Sequence, residues 1–419
     1  MSPAENRLAK TALILALAVL AGIAVIGIYR VAGTALDRLM PPSAKNGAAV
    51  PVASRKPVPA SSAASTVYEE KDSSDIPEKG VFSPFLEEAR QKMRNMTLRQ
   101  EVGQVFLFEC PPEGAVKIID DYFPGGYCLM ERAFQGKTSA QVKKSLSAYQ
   151  NSSRIPMLLA CDEEGGTVVR ISSNPKLAAK KFASPREVFA GGGLAAISSD
   201  TETKAKLLKA LGVNVNLAPV CDISTSPSDF MYARSLGKDG TQTAAFVTAS
   251  IKAYENQKVG FVLKHFPGYG GTKDTHTEEA RDTRSYQSFE KSDFLPFEAG
   301  IRSGAACIMV SHNIVECMDA ERPSSLSPQV HEILRKKLGF TGVIVTDSLS
   351  MGAILQYTGK QNAAVEAFLA GNDLLLTSDI KKSYESLYQA VEKGTVSRQR
   401  LEESVVRILA WKIQLGILR

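Results

Sequence analysis

Eight short apolar runs constrain this chain more than any other feature. They lie at 104–108, 126–130, 156–160, 214–218, 260–263, 306–310, 342–345 and 373–376. Continuous runs of four or five apolar residues read as strands buried on both faces, which is how the strands of a parallel sheet look in sequence. Between them fall longer stretches with helical spacing, at 139–149, 204–211, 241–256, 294–303, 327–338, 362–369 and 384–393. That alternation predicts an α/β fold made of βα units. An open doubly wound sheet would alternate in the same way, and the polar residues separate the two. Asp162, Asp222, His265, His312 and Asp347 each fall at or just past the C-terminal end of a strand run. A barrel gathers its chemistry at that rim, so a single (β/α)8 barrel of the TIM type is expected over 82–419.

Upstream of the barrel the composition changes. Residues 11–29 carry no charge, and nineteen such residues suffice for a helix to cross the hydrocarbon layer. The run is longer than a usual signal-peptide core, and Gly33-Thr-Ala35 is a weak cleavage signal, so 1–40 reads as an uncleaved transmembrane signal anchor. The count of positive charges on its two sides does not favour export, since Arg7 and Lys10 precede it and Arg30, Arg38, Lys45, Arg55 and Lys56 follow. Yet long following domains translocate largely regardless of such charges, and export is expected, which puts the catalytic part on the extracytoplasmic side of the membrane. Residues 41–81 are rich in Pro, Ala, Ser and Val with few large apolar side chains, a composition that cannot bury a core and reads as a flexible linker.

The remainder is globular in composition, with 44% hydrophobic and 22% charged residues over the whole chain. Its net charge of +6 is spread over interspersed acids and bases, with one Trp, and this argues against a nucleic-acid footprint. None of the six cysteines forms a Cys-x-x-Cys pair or a zinc-type spacing. Cys161, Cys221 and Cys307 sit in or beside apolar runs and read as reduced core thiols, which fits poorly with an oxidising compartment. No metal is expected, and a monomer is the simplest assembly.

After the fifth run comes Lys264-His-Phe-Pro-Gly-Tyr-Gly-Gly-Thr-Lys-Asp-Thr-His276, which holds two of the four histidines. A strand that ends in charged side chains and continues into a glycine-rich loop is a common way to build a site. Taken alone, Asp274 and His276 fit a solvated loop, a metal pair or an acid/base dyad. Asp347 fits a helix cap as well as a nucleophile. Asp162 and Arg234 could form a structural ion pair.

Several segments, in order, narrow these choices. Met96-Thr-Leu-Arg-Gln-Glu-Val-Gly-Gln-Val-Phe106, Ala160-Cys-Asp-Glu-Glu-Gly-Gly166, Asn216-Leu-Ala-Pro-Val-Cys-Asp222, Arg234-Ser-Leu-Gly237, Lys264-His-Phe-Pro-Gly268, Ile308-Met-Val-Ser-His312 and Gly342-Val-Ile-Val-Thr-Asp-Ser-Leu-Ser-Met351 resemble glycoside hydrolase family 3, close to its NagZ-type β-N-acetylglucosaminidases. The resemblance implies a retaining glycosidase that removes terminal β-linked N-acetylglucosamine, with peptidoglycan fragments as the expected source. It assigns Asp347 as nucleophile and Asp274 with His276 as acid/base dyad. It assigns Asp162, Arg234, Lys264 and His265 to the sugar, and it implies no cofactor and a carbohydrate as partner. His312 would support the site, and His331 would be ordinary surface. Histidine suits the acid/base role because its proton exchanges near neutral pH, so it can serve in both half-reactions.

The chain also departs from the pattern. Gly268-Tyr-Gly270 replaces Gly-His-Gly, Asp347-Ser-Leu-Ser-Met351 replaces Asp-Asp-Leu-Ser-Met, and the loop before Asp274 is one residue short. These changes bear on loop geometry and on preference at the sugar 2-position. A phosphorylase, a β-glucosidase specificity and a non-catalytic glycan-binding protein are the competing readings.

Overall fold

Each of the eight apolar runs contributes a strand: β1 (Phe106–Glu109), β2 (Gly126–Cys128), β3 (Leu158–Cys161), β4 (Val215–Asn216), β5 in two stretches (Gly260–Phe261 and Leu263–Phe266), β6 (Cys307–Val310), β7 (Val343–Thr346) and β8 (Leu375–Thr377). The computed structural model describes Ile76 and residues 79–359 and 361–419. All of these belong to one unit, Asp72–Arg419. The expected anchor at 1–40, and the linker at 41–81 apart from its last few residues, lie outside the described residues. Among the described residues no helix is long and apolar enough to cross a membrane. The linker's end is tied down: Ile76 is buried, and the Val81 N–H donates to Thr341 Oγ1 at 3.1 Å.

The pairings among these eight strands are all parallel. One sheet has the order β8-β1-β2-β3-β4-β5 and a second the order β7-β6-β5. A bridge from Val220 to Lys264 carries β4 onto the second stretch of β5, and one from Val345 to Leu374 joins β7 to the start of β8. The pairings thus follow the neighbour order of a (β/α)8 barrel, in which every strand's C-terminal end points to one rim.

The helices begin where local chemistry starts them. Thr138 with Gln141 and Ser184 with Glu187 form reciprocal capping boxes at Ser139–Ser152 and Pro185–Leu211, each satisfying orphan N–H groups of a first turn. The expected helix at 327–338 divides into Pro328–Glu332 and a π turn, Ile333–Lys337. His331, expected at the surface, is 3% exposed, and its Nδ1 lies 2.8 Å from the Ser327 carbonyl. It is buried because Gly371 backs onto its ring so closely that a Cβ there would lie 2.9 Å from the His331 side chain. Cys161, Cys221 and Cys307 are free and buried, and burial pushes each thiol pKa far upward. Such thiols are poor nucleophiles.

Candidate active site

The rim divides into a buried half and an exposed half. The buried half starts at Asp162, directly after β3. There Glu163–Gly165 folds back antiparallel on Val168–Val169 and returns Arg170 to Asp162, Nη2 to Oδ2 at 3.1 Å. Glu163 holds this hairpin by accepting the N–H groups of Arg170, Ile171 and Ser172. Lys264, on β5, reaches across the barrel to Asp162 Oδ1 and Glu164 Oε1, both at 2.7 Å. Arg234, on the loop after β4, grips Glu164 with two bonds of 2.9 and 2.7 Å. Asp162 and Arg234 are therefore not partners of each other; Lys264 and Glu164 link them.

Charge balance explains why this cluster stays ionised. Burial alone would raise the Asp162 and Glu164 carboxyls, but Lys264 and Arg170 beside the first, and Arg234 and Lys264 beside the second, hold both below the ordinary range. Burial likewise works against the two cations, and the same carboxylates outweigh it, raising Lys264 and Arg234. Two carboxylates facing three cations leave an excess of donors, and those donors can bind hydroxyl and carbonyl oxygens.

His265 sits beside them. Its Nδ1 lies 2.7 Å from Asp222 Oδ2, which also accepts the His265 backbone N–H, while Nε2 lies 3.3 Å from Arg234 Nη2. A guanidinium only donates, so Nε2 is the acceptor and Nδ1–H points to Asp222. Asp347 follows β7, where its backbone N–H donates to the Val310 carbonyl and its Oδ1 accepts the Ser348 N–H at 2.8 Å. Burial would raise its carboxyl, and the Ser348 N–H is among the groups that bring it below the usual carboxylate range. His312 spans the Ser325 hydroxyl (2.7 Å) and the Ser348 carbonyl (2.9 Å). Burial lowers its pKa, so a neutral ring donates from Nε2 to Ser348 and steadies the turn that carries Asp347.

The exposed half is the loop after β5. Its Asp274 and His276 side chains are 36% and 56% exposed, and His276 Nδ1 lies 2.6 Å from Asp274 Oδ1. The backbone of the loop is anchored even so. The Thr275 and His276 carbonyls accept the N–H groups of Ala353 and Gly352, at the start of the helix Gly352–Tyr357 that follows Asp347. Gly268 and Gly270 have φ of +122° and +54°. Any Cβ there would press on Asp293 and Arg284, at 2.6 Å in each case. The glycines thus let the chain pass close over an ion pair, besides giving it conformational room.

One cavity of about 320 Å³ joins the two halves: Asp162, Arg234, Lys264, His265, His276 and Asp347 all line it. Arg170 and Glu109, at the tip of β1, also line it and were not picked out from the sequence; Ser348, noted there only as a departure, lines it too and its hydroxyl donates to Glu109 at 3.1 Å. Glu164 was also missed. Its signal was adjacency, since Glu164 stands two residues from Asp162 in a motif already singled out. Arg170 had no signal short of the hairpin itself. Among the described residues no group of His, Cys, Asp and Glu is arranged to hold a metal ion.

Residues 85–411 match the glycosyl hydrolase family 3 N terminal domain, and the chain belongs to that family. It is 30% identical over 335 residues to the β-hexosaminidase A of Pseudoalteromonas piscicida, covering 73% of this chain and 56% of that one. It is also 30% identical over 279 residues to a β-hexosaminidase of Xanthomonas campestris pv. campestris, covering 66% of this chain and 83% of the relative. Among solved structures, the family 3 β-N-acetylglucosaminidase of Paenibacillus sp. str. FPU-7 superposes with a TM-score of 0.72 at 30% identity, over 77% of this chain and 63% of that one. The chain thus spans a little over half of the Pseudoalteromonas protein and less than two thirds of the Paenibacillus chain.

Proposed function

We propose that this protein is a retaining β-N-acetylglucosaminidase that removes terminal β-linked N-acetylglucosamine, with peptidoglycan fragments as substrate. The observation that carries the reading is the shared cavity: an ionised, half-buried carboxylate, Asp347, and an Asp-paired imidazole, His276, line it together with the donor cluster. The names of the relatives support the choice of sugar. Asp162, Arg234, Lys264 and His265 bind the terminal sugar's hydroxyls and fix its orientation.

The reaction has two half-reactions. Asp347 attacks the anomeric carbon while His276, protonated on both nitrogens, gives its Nε2 proton to the departing oxygen; a glycosyl ester forms and the glycosidic bond breaks. Nδ1–H stays on Asp274, which stabilises the imidazolium and fixes the tautomer. In the second half-reaction Nε2 takes a proton from water, whose oxygen attacks the same carbon and releases Asp347. No step calls for a metal or an organic cofactor.

An activated fluoro-sugar that forms the ester quickly and releases it slowly tests this. The protein should gain the mass of one sugar on the peptide containing Asp347, and Asp347→Ala should abolish turnover of an aryl β-N-acetylglucosaminide. Full turnover in that variant would overturn the assignment. Residues 1–40 are proposed as a membrane anchor and 41–81 as a linker, with the catalytic part on the extracytoplasmic side. Protease digestion of intact cells should remove the enzyme; complete protection would place it on the other side.

A further inference from the structure

Tyr269 stands where the sequence departs from the family pattern, and its surroundings give it a task. The side chain is 1% exposed and runs between the two halves of the site. At its base the backbone N–H donates to Asp222 Oδ1 at 2.8 Å, and the other oxygen of that carboxylate orients His265. Along its length the ring meets His265 edge to face at 5.2 Å. At its tip the hydroxyl lies 2.5 Å from Thr275 Oγ1. Thr275 is wholly buried and sits between the two residues of the exposed dyad. Phe230 packs on both the Tyr269 ring (5.7 Å) and the His276 ring (6.2 Å).

We propose that Tyr269 is a positioning residue for proton transfer: a strut that ties the loop at Thr275 to the Asp222–His265 floor and so sets where His276 presents Nε2. This rests on the acid/base role given to His276 above. The physical argument concerns placement. His276 is more than half exposed, and its own side-chain bond is to a neighbour two residues away, so that bond fixes the ring relative to the loop and not relative to the sugar. The backbone bonds from Gly352 and Ala353 hold the loop toward Asp347. The Tyr269–Thr275 bond holds it toward the floor that carries the sugar. A proton donor displaced by about an ångström can lose on the order of a hundredfold in rate, so a single buried bond at this point has leverage.

The test compares Tyr269→Phe, Thr275→Val, their double variant, Thr275→Ser and His276→Ala on two aryl β-N-acetylglucosaminides, one with a poor and one with an activated leaving group. Tyr269→Phe and Thr275→Val should each lower kcat on the poor leaving group by about tenfold and change the activated one by less than about twofold. KM and inhibition by free N-acetylglucosamine should stay unchanged. The double variant should be no worse than either single one, and Thr275→Ser, which keeps the hydroxyl, should behave as wild type. Equal losses on both substrates, no loss, or additive losses would each overturn the proposal. Thr275→Val carries the test should Tyr269→Phe fail to fold. If His276→Ala shows no dependence on the leaving group, the acid/base assignment itself is wrong and the strut falls with it. If His276→Ala shows that dependence and Tyr269→Phe does not, only the strut is wrong.

Discussion

The two halves of the site solve opposite problems. On the side assigned to the sugar, Glu164 and Lys264 are buried, Asp162 and Arg234 are nearly so, and the four are linked by ion pairs. On the loop side, Asp274 and His276 are a third and a half exposed, and each has one close ionic partner, the other. Buried ion pairs are weak evidence for stability, but removing one partner leaves an uncompensated charge, which is strongly destabilising. Exposed pairs contribute little. The difference teaches a division of labour. Under the proposed function, the half assigned to a neutral sugar has its carboxyls shifted down and its cations shifted up, so both stay charged near neutral pH, and the half assigned to proton transfer is left where solvent can recharge it.

Breaking the exposed half should produce the largest effect on rate and the smallest on folding. His276→Ala should lower turnover of poor leaving groups by about 10²- to 10⁴-fold, the usual worth of general acid–base catalysis, while the melting temperature stays put. Breaking the buried half should reverse the pattern. Lys264→Met strips Asp162 and Glu164 of a shared cation and should cost about 3–5 kcal/mol in stability, measured by denaturant unfolding, together with a raised KM. A smaller effect comes from a buried charge outside the site. Lys412 donates to Gln104 Oε1 at 2.6 Å, and burial pulls its pKa down from 10.5 to about 7. Between those two values the unfolded chain holds a proton that the folded chain has released, so stability should rise with pH across that window. Lys412→Met should flatten the rise and stabilise the protein at neutral pH; an unchanged slope would show that the amine is protonated in place.

Much of this was legible before the fold was known, for physical reasons. Parallel strands are buried on both faces, so most of β1 to β8 stand out as apolar runs, and rim chemistry follows at their ends. The helix Arg398–Gln414 was missed because every residue from 403 to 412 is buried, which erases the one-sided stripe that marks a helix in sequence. His331 was misread for a related reason: nothing local announces the second layer of packing from Gly371. Arg170 needed the Glu163–Gly165 turnback to come beside Asp162. The exchange of His for Tyr at 269 was visible as a departure, but its meaning required the distance to Thr275.

The contrast between the halves is tested most directly by one ratio. It is kcat/KM for an activated aryl β-N-acetylglucosaminide divided by that for a poor one, measured in His276→Ala and Lys264→Met. The division of labour predicts that the ratio rises by about 10²-fold or more in the first and stays at the wild-type value in the second. A parallel fall on both substrates in His276→Ala, or a rise of the ratio in Lys264→Met, would contradict it.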